Sequence, residues 1–394
     1  MKHLLYHDLI VAGNWCNLKC SYCTSVADAD DYGAVTSASR RGRGATIAIA
    51  EVLAMLDGFA AQVDAPLIKL SGGELFLLAN AAELIAELAQ RYAHVQVLTN
   101  GTELDAATVQ RIARRGNVSF NLSLDGHSAA MNAMRWRSPR IGARVMAAFA
   151  AMVQACETVE ITSVISAANA EGFPAFLDVL AAQPCRIVAV PIPVRGVTAA
   201  VLFPAEARRA FAATLRACVR THPDVLGPAA YYTTLADFLD AGGAQRERRC
   251  HLVTAAVQLF DTGAVTPCPV GWTGAIGDLR KEGAASVAAR VGTHKMYDLL
   301  TRERPRVPVC RNCFSAADML NLYLDGEIEL DALARLPLYH SAAARARLVE
   351  LREAAVSRLT ASIVSQLGSS EISSRSASAG GSASPMAMPA RAAT

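Results

Sequence analysis

The chain has 394 residues, 52% of them hydrophobic, enough for one large domain with a substantial core and a smaller second one. Its net charge of +3 is too near neutral to point to nucleic acid or a membrane surface. The opening "MKHLLYHDLIVAGNW" lacks a signal-peptide run, and no uncharged apolar stretch approaches the roughly 18 residues of a spanning helix, so a cytoplasmic location is expected.

In chain order, the first half alternates short apolar runs with helix-like segments. The expected strands are "HDLIVAG" (7–13), "PLIKLSG" (66–72), "HVQVLTN" (94–100), "VSFNLSLDG" (118–126), "VEITSVIS" (159–166) and "RIVAVPI" (186–192). Between them, segments such as "NAAELIAELAQRY" and "DAATVQRIARR" have helical apolar spacing. Asp105 suits the N-cap of the second and Gly116 its stop. Six strands alternating with helices argue for an α/β fold with a parallel sheet or barrel, in which ligands gather at the C-terminal strand ends. The distinctive residues fall there. "CNLKCSYC" (16–23) follows the first strand and "SGGE" (71–74) the second. "TNG" (99–101) follows the third, "SLDG" (123–126) closes the fourth and Arg195 follows the sixth. After about residue 200 come helical segments, then "CHLVTAAVQLFDTGAVTPC" (250–268), whose "DTG" marks a β-hairpin. "CRNC" (310–313) and further helices follow. The tail is Ser/Ala/Gly-rich and expected to be disordered.

Ten cysteines in a chain without export signals point to metal or catalysis rather than disulfides. Cys16, Cys20 and Cys23 form a C-x3-C-x2-C loop. Three thiolates can hold three corners of a cubane iron–sulfur cluster, which leaves one iron open. Zinc and free thiols are the alternatives, but zinc favours paired C-x2-C units, and the intervening Asn, Lys and Ser do not read as core.

This loop resembles the signature of the radical S-adenosylmethionine (SAM) superfamily, C-x3-C-x2-C with an aromatic before the last cysteine. The resemblance implies a partial (βα)6 barrel and a [4Fe-4S] cluster whose open iron is chelated by SAM. It implies an enzyme that cleaves SAM reductively to a 5′-deoxyadenosyl radical, which abstracts hydrogen from substrate. Tyr22 would then pack near the adenine. "SGGE" resembles the family's GGE motif, so Gly72, Gly73 and Glu74 would receive the SAM amino group. "SLDG" resembles its strand-4 motif, with Ser123 near the ribose or carboxylate and Asp125 alongside. Arg135 stands about where relatives place an arginine on the SAM carboxylate, although their His-Asp pair is replaced here by Met131 and Asn132. Asn100 and Gly101 either line the pocket or form a plain turn. No catalytic acid or base is assigned.

The hairpin's C-x12-G-x4-C and the later C-x2-C resemble the family's C-terminal SPASM extension in its shorter twitch form, a small α+β unit of hairpin plus helix. That implies one auxiliary [4Fe-4S] cluster on Cys250, Cys268, Cys310 and Cys313, with zinc on the same four thiolates as the alternative. Filled by four protein ligands, it suits electron transfer or a structural role. Cys156, Cys185 and Cys218 read as buried hydrophobes. The expected domains are a barrel at 1–200, a helical linker at 201–244, the auxiliary domain at 245–325, helices at 326–367 and a disordered tail at 368–394. Relatives with this extension modify ribosomally made peptides or oxidise small molecules. The chain starts almost at its first strand, so no leader-peptide-binding domain is expected before it. Peptide maturation is the favoured reading. A radical dehydrogenase of an aminocyclitol or sugar is the alternative, and a non-enzymatic iron–sulfur electron carrier the alternative of another class. A flavodoxin or ferredoxin would supply electrons.

Overall fold

The computed structural model describes residues 1–11, 13, 15–23, 44–196, 198–243, 246–270, 274–303 and 307–377, with side chains placed as far as 358 and at 360. The strands, in chain order, are β1 (Lys2–His3), β2 (Tyr6–Val11), β3 (Val63–Asp64), β4 (Leu67–Gly72), β5 (His94–Thr99), β6 (Val118–Ser123), β7 (Thr158–Ile165), β8 (Arg186–Pro193), β9 (Ala256–Phe260), β10 (Ala264–Thr266) and β11 (Gly277–Asp278). Nine form one sheet in the order β11-β10-β9-β2-β4-β5-β6-β7-β8. From β9 to β8 every neighbouring pair is parallel, and β10 and β11 run antiparallel at one edge.

The crossovers between the first strands are the helices α1 (Ile49–Ala60), α2 (Ala81–Arg91), α3 (Ala106–Ala113), α4 (Pro139–Ala155) and α5 (Phe173–Ala181). Their apolar stripes, such as Leu84, Ile85 and Leu88 on α2, pack on the sheet. Asp105 caps α3 by accepting from the Thr108 amide, and Gly116, at φ +75°, follows its end. All six expected strands are present within a residue or two, apart from "SLDG", where the strand stops at Ser123.

The sheet's far edge is managed by the next two helices, α6 (Ala205–Thr221) and α7 (Ala229–Asp240). The hydroxyls of Tyr231 and Tyr232 on α7 donate to the Pro191 and Ala189 carbonyls of β8 at 3.0 and 2.8 Å. Pro191 and Pro193, which cannot donate to a ladder, stand in this edge strand.

The hairpin is real, with Gly263 at φ +104° in its turn. It is not separate from the barrel sheet, however. β9 pairs in parallel with β2, Tyr6 against Ala256 through Ile10 against Phe260. All five residues of β9 are buried, because a strand inside a sheet is covered on both faces. A helix α8 (Asp318–Leu324) follows "CRNC", and α9 (Ala342–Ala377) closes the described chain. α9 runs past residue 368 into the stretch expected to be disordered, where Ser dominates and no Pro interrupts before 378; residues 378–394 lie outside the described residues.

Candidate active site

The cysteine loop leaves the C-terminal end of β2 and lies against the end of β4. A Cβ on Gly73 would stand 1.9 Å from the Trp15 carbonyl oxygen, and one on Gly72 2.0 Å from that of Val11. Only glycine lets these two backbones approach so closely. The Glu74 amide then donates to the Trp15 carbonyl at 3.0 Å, one residue before Cys16. The two glycines therefore place the thiol loop, in addition to offering backbone to a ligand.

Cys16, Cys20 and Cys23 line one cavity of about 240 Å³ with Tyr22, Gly72, Gly73, Asn100, Ser123 and Arg135. Six of the eight expected cofactor residues are thus gathered at the strand ends. The remaining two, Glu74 and Asp125, stand behind the cavity wall. Glu74, 1% exposed, accepts from the amides of Phe76 (3.1 Å) and Asn100 (2.7 Å) and from the Thr99 hydroxyl (2.8 Å). Burial pushes its carboxyl up to about 7 against these donors. Its oxygens brace β4 against β5, and the residue stands behind the cavity lining. The Asn100 side chain passes the bracing on: its Nδ2 donates to Cys16 Sγ at 3.6 Å and to Asn17 Oδ1 at 3.2 Å.

Asp125 is likewise consumed. It accepts from the Tyr22 hydroxyl, from Arg135 Nε and Nη2 at 3.3 and 3.2 Å, and from the Val164 amide at 3.0 Å. The Arg135 guanidinium also lies 5.6 Å from the Tyr22 ring centroid. Arg135 lines the cavity, but two of its nitrogens are held by Asp125. Asn132, where relatives' His-Asp pair would fall, holds this loop: its Oδ1 accepts from the Asp125 amide, and its Nδ2 donates to the Gly126 and Ser128 carbonyls. His127 rests on the Phe176 ring.

Burial pushes the Cys16 thiol up to about 12 and raises Cys20 as well. Without metal these groups hold protons, and metal binding would release them. Soft thiol ligands in a half-buried cavity fit an iron–sulfur cluster rather than a hard cation. Ser71 and Thr99, from the "SGGE" and "TNG" strand ends, also line the wall, and residues not expected from sequence complete it: Val164 and the run Ile192–Val194 at the end of β8. Only their position at strand ends could have marked them.

The second cysteine set is also brought together. Cys250, Cys268, Cys310 and Cys313 line one small cavity with Arg246, Asp318 and Asn321. Arg246 and Asp318 form a buried ion pair at 2.5 Å, and Arg246 Nη1 donates to the Cys313 carbonyl at 3.2 Å. Asn321 donates from Nδ2 to Cys250 Sγ (3.9 Å) and to Asp318 Oδ1 (2.9 Å). Burial pushes Cys250 and Cys310 up to about 12, with Arg246 opposing. Sequence reasoning missed Arg246, Asp318 and Asn321. The i, i+3 spacing of the last two on α8, just after "CRNC", was the available signal. Among the described residues, no three His, Cys, Asp or Glu side chains converge as ligands of a single metal ion. Cys156, Cys185 and Cys218 line neither cavity. Among the described residues no helix is long and apolar enough to cross a membrane.

Residues 10–180 match the radical SAM superfamily. Among solved structures, the chain is similar to Streptococcus suis SuiB bound to S-adenosylmethionine, with a TM-score of 0.52 at 13% identity over 72% of this chain and 65% of that one. It is also similar to SuiB bound to precursor peptide SuiA (TM-score 0.56, 11% identity, 81% of this chain and 73% of that one). A third is native anSMEcpe with bound AdoMet and Cp18Cys peptide (TM-score 0.55, 15% identity, 90% of this chain and 99% of that one). At such identities the likeness is one of fold, and the chain spans just under two thirds of the first SuiB structure. Comparison with curated proteins gives no match.

Proposed function

We propose, from the match of residues 10–180 to the radical SAM superfamily, that this chain is a radical SAM enzyme that reductively cleaves SAM in the cavity of Cys16, Cys20 and Cys23 and takes hydrogen from a peptide substrate. The observation that carries this reading is the gathering of three thiols, the Gly72–Gly73 backbone, Ser123 and Arg135 around one cavity at the strand ends. When bound, the [4Fe-4S] cluster and SAM supply a 5′-deoxyadenosyl radical that abstracts a hydrogen atom from the substrate.

The chain's own residues prepare for that chemistry. Cys16, Cys20 and Cys23 on one loop would hold the cluster, and a set of three thiolates would leave it open to SAM. Gly72 and Gly73 present bare backbone to the amino acid end of SAM, while Arg135, its charge opposed by Asp125, offers its remaining N–H donors to a carboxylate. Val164, Ile192, Pro193 and Val194 make the other wall apolar, which limits water around a reactive intermediate. Glu74, Asp125 and Asn132 act behind this surface, holding the loops that present it.

The second thiol set is read as the ligands of one auxiliary [4Fe-4S] cluster, serving electron transfer or closure of the barrel, with a flavodoxin or ferredoxin as reductant. Four soft thiolates around one cavity suit a cubane cluster, with zinc on the same four ligands as the alternative. A peptide substrate is favoured because SuiB and anSMEcpe, whose fold this chain shares, are structures with bound peptides. The C-x17-C and C-x2-C spacing favours a second reading, small-molecule dehydrogenation of the aminocyclitol kind.

Metal analysis after anaerobic reconstitution tests the two-site reading. Wild-type protein should carry about eight irons, four per cubane. The double variant Cys310→Ala/Cys313→Ala should carry about four and still change its electron paramagnetic resonance signal when SAM is added. Four irons and one zinc in the wild type would make the second site structural zinc.

A further inference from the structure

Arg195 links the two thiol sets. It follows β8 and lines the cavity of Cys16, Cys20 and Cys23. Its Nη1 also donates to Cys313 Sγ at 3.7 Å, within the second thiol set. The backbone fixes this position. The Val194 amide donates to the Ile165 carbonyl at 2.9 Å, and Gly196, at φ +84°, turns the chain immediately after Arg195. The guanidinium therefore leaves the end of a sheet strand and reaches across to the hairpin-and-helix side of the molecule.

The charges around the second set show what this side chain adds. Arg246 also adjoins these cysteines, but its charge is opposed by the buried carboxylate of Asp318 at 2.5 Å. Arg195 has no carboxylate within ion-pair distance among the described residues. Asn321 also directs a side-chain N–H at a sulfur of this set, but as a neutral amide, 3.9 Å from Cys250 Sγ. Arg195 thus brings to this set a positive charge that, among the described residues, no carboxylate opposes. A centre held by four thiolates is anionic and becomes more so on reduction. Hydrogen bonds and cations at its sulfurs favour the reduced form and raise its potential.

We propose that Arg195 is a positioning residue that raises the reduction potential of the second centre through Cys313, and does so from the wall of the SAM cavity. This deepens the reading of Cys250, Cys268, Cys310 and Cys313 as cluster ligands and rests on it. One side chain then spans the space between the two thiol sets. Whatever occupies the first cavity beside Arg195 is a single residue away from the second centre.

A redox titration of reconstituted full-length protein tests this. Freeze-quenched samples are followed by electron paramagnetic resonance, and the second centre is identified as the signal that SAM does not perturb. Arg195→Gln, which removes the charge, should shift that signal's midpoint to a more negative potential while about eight irons are retained. Arg195→Lys, which keeps the charge but loses the planar donor, should fall between Arg195→Gln and wild type. Equal midpoints in wild type and Arg195→Gln at full iron content would overturn the proposal alone. If Arg195→Gln fails to retain the centre, Arg195→Lys decides: a lowered midpoint supports the proposal and an unchanged one overturns it. Wild-type protein that shows only the SAM-responsive signal would overturn the two-cluster reading and this proposal with it.

Discussion

At the scale of single residues, the glycines of "SGGE" carry a constraint imposed by the protein itself. A methyl group on Gly73 would meet the Trp15 carbonyl at 1.9 Å and the Cys16 amide nitrogen at 2.9 Å, both backbone atoms of the thiol loop. Backbone cannot rotate aside as a side chain can, so the loop must move. Gly73→Ala should therefore lose the first cluster and keep the second, lowering iron from about eight to about four per chain. Its overall stability cost should be the about 1–3 kcal/mol typical of overpacking. Retention of eight irons would show that the loop tolerates displacement. Glu74 shows where motif reading stops at this scale. Its place after the second strand was legible, but the three donors that occupy its carboxylate come from Phe76, Thr99 and Asn100, and only the packing of β4 beside β5 reveals them. Asp125 is a parallel case, since its partners Tyr22, Arg135 and Val164 come from three separate segments.

At the scale of elements, β2 is tied at its N-terminal end by a buried histidine. His7 Nε2 stands 3.0 Å from the Val63 carbonyl, which can only accept, so this nitrogen carries the proton. Nδ1 then accepts from the Tyr92 hydroxyl at 2.9 Å. Burial lowers the ring from its ordinary 6.5 to about 4. The folded state thus holds a neutral ring over a pH range in which the unfolded chain binds a proton. Stability from His7 is fully present above about pH 6.5 and is lost as pH falls towards 4. Between pH 7.5 and pH 5 the loss is about 2 kcal/mol. His7→Asn should be less stable than wild type at pH 7.5, and the gap between their urea unfolding free energies should narrow by about that amount at pH 5. Comparing the two proteins cancels the contribution of His94, whose ring burial also lowers to about 4. A gap independent of pH would show that His7 is not buried in its neutral form.

Strand existence was the most legible feature at this scale, because short runs rich in apolar and β-branched residues, such as "HVQVLT" and "VSFNLS", stand between turn signals. What the pattern could not carry was pairing. "AAVQLFDTG" reads as one arm of a hairpin, yet its other neighbour is β2, about 250 residues earlier in the chain. No local signal encodes that contact, which explains why a hairpin expected in a separate small domain extends the barrel's sheet.

At the scale of the whole molecule, the arrangement is two thiol-lined cavities joined by one arginine. Of the first, the thiols and their neighbours at strand ends were legible from a spaced motif, but the apolar wall of Val164 and Ile192–Val194 was not. The cysteines of the second were legible as a set, but Arg246, Asp318 and Asn321 were not, because an i, i+3 polar pair is common on any helix and Arg246 lies outside helix and strand. The substrate is encoded by neither motif. The central claim is that the first cavity, by itself, holds the cluster and SAM for reductive cleavage. Its most direct test is the yield of 5′-deoxyadenosine from reconstituted protein under a chemical reductant, with SAM and no substrate. Wild-type protein should form it slowly. Cys20→Ala, left with two thiolates on the loop, should form none above background. Equal yields from the two proteins would contradict the account.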